Sequence, residues 1–145
     1  MSFQNQNPFA TPSPREGAMP VGKLAQLDEP GRLVVTLFRG SEALRRDSDM
    51  GRIFSQMMMV FDRHGRRPLM RHGMGCDCLG ADEAVLAQFV RLAAQGARED
   101  ATLMAMLLVR GDMAPLAVSL AEQLGLTIRQ TVGLRPRPPV GMAMH

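Results

Sequence analysis

The clearest periodicity lies between Met50 and His64. Ile53, Met57, Val60 and Phe61 recur there at three- and four-residue intervals and share one helical face. Gly65 stops that helix. A second helix opens on Asp82 and Glu83, which suit a positive helix N-terminus, and buries Val85, Leu86, Phe89, Val90, Leu92 and Ala93 before Gly96 ends it. A third runs from about Arg98 to Arg110, with Glu99 and Asp100 in its first turn and Gly111 after its last. Its body, ATLMAMLLV, is apolar all round, which predicts a central, buried helix. Asp112 caps a fourth, MAPLAVSLAEQLG, whose Pro115 sits in the tolerant first turn.

Two segments read both ways. In RLVVTLFRG, residues 32–40, the β-branched Val34, Val35 and Thr36 favour a strand, while Pro30 before them and Gly40 after them fit a short helix. Thr127 to Val132 alternates like a short strand or an extended tail. Residues 41–49 are polar and arginine-rich, with a helical turn, and 65–80 form one long irregular loop. The links at Gly96-Ala97 and Gly111-Asp112 are so short that the helices they join must pack as antiparallel or crossed neighbours. The pattern predicts an all-α domain, a small four- to five-helix bundle over residues 22–131. Residues 1–21 are rich in Asn, Gln, Pro and Ser and are expected to be a disordered tail, as is the proline-rich stretch 132–145.

Composition refines this picture. The chain has 145 residues, enough for one domain, and its 13 Met and 6 Phe with no Trp or Tyr imply a core filled by adaptable side chains. No run approaches the length of a membrane helix, and no basic-then-apolar leader opens the chain, so a cytoplasmic, reducing setting and no membrane partner are expected. Lys23 is the sole lysine; such arginine dominance fits a GC-rich bacterial genome. The net charge of +3 is uneven, with nine arginines against four acids over 31–71 and four against seven over 72–130.

Reactive side chains concentrate in RHGMGCDCLGADE, residues 71–83, which holds His72 and the only two cysteines, Cys76 and Cys78. In an extended loop, residues two apart project to the same side, so both sulfurs can meet one ion while Asp77 faces away. Gly73 and Gly75 let the backbone bring His72 back towards them. One nitrogen and two sulfurs suit Zn²⁺, with Cu(I) as runner-up if the nearby methionines join. The fourth ligand is open among His64, Asp77, His145 and a second chain. Two other readings stand beside this one: the cysteines simply pack as small residues, or they act as a strained redox pair.

A basic segment is the second feature, with Arg63, Arg66, Arg67 and Arg71 close together and Arg45, Arg46 and Arg52 upstream. It could meet an acidic protein or nucleic-acid phosphates, but no aromatic side chains interleave for base stacking. Arg63 and His64 also complete the negative end of a helix dipole. The paired carboxylates Asp82-Glu83 and Glu99-Asp100 fall in first helical turns, where capping explains them. No nucleotide loop, serine elbow or acid–base dyad is present, so no catalytic residue is assigned and an enzyme is not expected. The expectation is a small accessory or regulatory protein with a zinc-binding loop and a protein partner; the alternative is a metal-free protein- or nucleic-acid-interaction module using residues 45–71.

Overall fold

The computed structural model describes residues 14–42 and 48–133. Among these, five helices account for most of the chain: α1 (Glu29–Arg39), α2 (Ser48–His64), α3 (Ala81–Ala94), α4 (Arg98–Leu108) and α5 (Ala114–Gly133). A helical turn at Pro14–Gly17, two 3₁₀ turns and a two-stranded antiparallel sheet complete the fold. The helical class read from periodicity therefore holds, with the small sheet as an addition. No helix of the described residues is long and apolar enough to cross a membrane.

The ambiguous segment at 32–40 is helical because both its ends are fixed. Asp28 caps α1, its Oδ1 accepting the Gly31 N–H at 2.9 Å, and Pro30 occupies the first turn. Gly40 ends it in the left-handed region at φ 104°, and the Gly40 and Ser41 N–H groups close on Leu37 and Thr36 carbonyls. Val34 and Val35 are both buried because α1 lies between two apolar clusters. Val34 packs in the main core, and Val35 packs with Leu79 and Ala87. Such two-sided burial removes the alternation a half-exposed strand would need.

The central helix is α5, which touches α1, α2, α3 and α4. It buries Ala117, Val118, Leu120, Ala121, Leu124, Gly125 and Ile128. Gly125 permits the α3 crossing, since a Cβ there would lie 2.4 Å from the Ala94 Cβ. The helix continues through Thr127–Val132 to Gly133, so neither the strand nor the extended tail forms. Conversely, α4 is not the buried centre that its apolar sequence predicts. Ala101, Ala105 and Leu108 form its one buried stripe, while Leu103, Met106 and Leu107 face outward. The main core gathers Phe38, Met50, Phe54, Met57, Phe61 and Phe89, with Phe61 and Phe89 edge-to-face at 6.3 Å.

The sheet pairs β1 (Pro20–Lys23) with β2 (Cys78–Gly80), setting Lys23 opposite Cys78 and Gly22 opposite Leu79. The expected tail boundary at residue 21 thus falls inside a strand. The 65–80 loop likewise ends in one, and that pairing carries the cysteines to the N-terminal segment.

Candidate thiol and imidazole site

The middle of the 65–80 loop is anchored from below by α1 and α3. Asp82 and Glu83, at the start of α3, are buried to 3% and 0% exposure and serve the loop rather than the helix dipole alone. Asp82 receives both Arg67 Nη groups, at 2.8 and 2.6 Å, and the Met70 N–H at 2.8 Å. Glu83 receives the Gly80 N–H at 2.9 Å, the His72 N–H at 3.0 Å, and Arg39 through Nε and Nη2 at 2.7 and 3.0 Å. Two further N–H groups of Arg39 reach the carbonyls of Cys76 (2.6 Å) and Cys78 (2.7 Å). A buried ion pair with its lone pairs and protons satisfied in this way is the geometry that offsets desolvation.

On that base the loop carries four chemistry-bearing side chains. The imidazole of His72 is held at both nitrogens: Nε2 lies 2.7 Å from the Ala18 carbonyl and Nδ1 3.5 Å from Cys76 Sγ. A carbonyl only accepts, so Nε2 carries the proton donated to Ala18, and the Nδ1 side is presented to sulfur. The ligand atoms of Cys76, Asp77 and Cys78 all lie within 4.8 Å of one another. Asp77 therefore joins the sulfurs rather than facing away, even though its side chain is 85% exposed and stands 3.9 Å from Lys23 Nζ. Backbone bonds fix the turn, with Cys76 N–H to Gly73 O at 3.1 Å and Leu24 N–H to Asp77 O at 2.8 Å.

The electrostatics follow these contacts. The hydrogen bond to Ala18, with the thiol of Cys76 adding to it, raises the His72 pKa above its ordinary value. His72 in turn lowers the Cys76 pKa, helped by the Cys78 backbone N–H. Cys78 moves the other way: Lys23 draws it down, but desolvation, the neighbouring Cys76 and Asp77 together push it up. Burial alone would raise Glu83, yet Arg39 and the two backbone N–H donors leave its carboxyl below the usual range.

Of the residues expected at the site, Cys76 and Cys78 converge with Asp77, His72 meets Cys76 alone, and His64 lies elsewhere. His64 ends α2, where its carbonyl accepts the Arg110 N–H; its Nδ1 is buried without a hydrogen-bond partner among the described residues, beside Met59, Met113 and Leu116. His145 lies outside the described residues.

Among the described arginines of this segment Arg67 is half-buried, whereas Arg52, Arg63, Arg66 and Arg71 are exposed, several of them with a partner. Arg67 is bound to Asp82, Arg71 stacks its guanidinium 4.5 Å from the Phe38 ring centroid, and Arg66 Nε donates to the Met106 carbonyl at 2.6 Å. Arg52 pairs with Asp49 at 3.6 Å on the surface, and Arg63 is exposed. Arg45 and Arg46 lie outside the described residues.

Sequence reasoning missed Arg39, Lys23 and the Ala18 carbonyl. Glu83 carried a signal, three residues after Gly80 at a helix start, but that spacing announces a cap and says nothing of Arg39. No protein-family model matches the chain, and no curated protein and no solved structure matches it either.

Proposed function

We propose that this chain is a small helical accessory or regulatory protein whose loop 72–78 binds a thiophilic metal ion, Zn²⁺ before Cu(I). Cys76, Cys78 and His72 Nδ1 are the ligands, and the Asp77 carboxylate is the fourth donor. The observation that carries this reading is the tether on His72. A metal-bound imidazole commonly gives its second ring N–H to a backbone carbonyl, which fixes tautomer and orientation, and Ala18 supplies that acceptor at 2.7 Å. The 3.5 Å between Nδ1 and Cys76 Sγ also matches the edge of a zinc tetrahedron, roughly 3.3–3.8 Å for bonds of the usual length. Arg39, bound to both cysteine carbonyls, adds positive charge behind a pair of thiolates.

The test is metal content and cobalt titration of the full, untagged chain purified anaerobically. About one equivalent of zinc is expected, with thiolate-to-cobalt absorption that disappears in Cys76→Ser/Cys78→Ser and weakens in His72→Gln by roughly ten- to a hundredfold in affinity. Less than about one-tenth of an equivalent, with no cobalt–thiolate band, overturns the reading.

One observation favours a second reading. Cys76, His72 and the Ala18 carbonyl also form the sequence of thiol, base and orienting acceptor used to activate a nucleophile. A metal-free protein in which Cys76 reacts with electrophiles far faster than Cys78 supports that alternative.

A further inference from the structure

Helix α4 wears its large apolar side chains on the outside. Leu103 is 62% exposed, Met106 44% and Leu107 78%. Single exposed leucines are ordinary, but three large apolar groups on one short helix make a contiguous patch. The two ends of that patch carry opposite charge. Glu99 and Asp100 are exposed at the helix start, and neither has an ion-pair or hydrogen-bond partner among the described residues. At the other end the exposed Arg66 lies over the last turn, held by its bond to the Met106 carbonyl and without a carboxylate partner among the described residues. Arg110 follows the helix; its contact with Asp112 at 3.1 Å joins side chains 59% and 68% exposed, a kind of pair that contributes little.

At the helical angle per residue, positions 99, 100, 103, 106 and 107 span about 120° of one face, and Arg110 follows just beyond the helix end, where the backbone is extended. Along that face the order is two acids, three apolar side chains, then arginine. Turned end over end about a twofold axis, the order meets its own complement. Glu99 and Asp100 of one copy come opposite Arg110 and Arg66 of the other, and Leu103 comes opposite Met106 and Leu107. A parallel arrangement sets like charges against each other and is disfavoured. An isologous contact requires this self-complementarity, and an unrelated partner would not.

We infer that α4 is the interface of a symmetric homodimer, packed antiparallel against α4 of a second copy. Sedimentation or light scattering on the full chain over a concentration series tests this. The unaltered chain associates as a dimer at micromolar concentration. Leu103→Glu/Leu107→Glu weakens association by roughly a hundredfold or more and leaves the far-ultraviolet circular dichroism unchanged, since both side chains are exposed. Glu99→Arg/Asp100→Arg and Arg66→Glu/Arg110→Glu each associate poorly alone, and an equimolar mixture of the two restores the dimer. A chain that stays monomeric at every concentration overturns the inference. So does a dimer that survives the double leucine substitution, or a mixture of charge-reversed chains that fails to associate.

Discussion

Arg39 and Glu83 lie forty-four residues apart and meet at 2.7 Å with both side chains at 0% exposure. Between them they fix the carbonyls of Cys76 and Cys78 and the N–H groups of His72 and Gly80. Replacing Arg39 with Met leaves a buried carboxylate without its counter-charge. We expect a loss of about 3–5 kcal/mol in urea unfolding. Adding Glu83→Gln to Arg39→Met should recover part of that loss, because the amide oxygen still accepts one backbone N–H and no charge is left buried. Additive losses would show that the two residues act separately.

Stability should fall on both sides of a mildly acidic range. The Glu83 carboxyl is held below its ordinary pKa of 4.5, so its contribution is complete above that value and disappears as pH falls through the folded-state value. His72 shifts upward from 6.5, so its contribution is complete below that value and disappears as pH rises through the folded-state value. Thermal unfolding of chelator-treated protein against pH checks both limbs. Glu83→Gln should flatten the acid limb and His72→Gln the limb near neutrality.

The two cysteines should react unequally in chelator-treated protein. His72 lowers the Cys76 pKa, whereas Cys78 is pushed up. Iodoacetamide near neutral pH should therefore label Cys76 first, as read by peptide mass spectrometry. His72→Gln should slow Cys76 and narrow the difference. Equal rates in the unaltered chain would contradict the pairing seen at 3.5 Å.

Gly125→Ala should destabilise the domain although alanine is the better helix former. The new Cβ would lie 2.4 Å from Ala94 Cβ and 3.3 Å from the Val90 carbonyl, forcing α3 and α5 apart. The cost should be about 1–3 kcal/mol in chemical denaturation. Ala94→Gly in the same chain should relieve part of it. A neutral or stabilising Gly125→Ala would mean that the crossing adjusts without strain.

Helix positions were legible because periodicity and caps are local. The stripes at Ile53, Met57, Val60 and Phe61, and at Leu86, Phe89, Val90 and Ala93, are the ones that pack. What the pattern could not show was which helix lies at the centre. ATLMAMLLV is more apolar than α5, but its alanines, at 101 and 105, set the depth of burial, and its leucines at 103 and 107 are left outside. The candidate site was legible as a cluster of residue types. Its geometry was not, since it comes from partners distant in the chain: Ala18 for His72, Lys23 for Asp77 and Arg39 for both cysteine carbonyls. The contacts of the arginine-rich segment were hidden for the same reason, because the acceptors of Arg66 and Arg67 lie at Met106 and Asp82.

The reach from Ala18 to His72 spans fifty-four residues and runs beside an edge whose Met19 and Val21 are 59% and 58% exposed. A pairing this distant closes a long loop, whereas each helix is held by local contacts. The N-terminal strand then works as a clasp. A single proteolytic cut just before Lys23 would release it, freeing the imidazole from its anchor while leaving the five helices and their core intact.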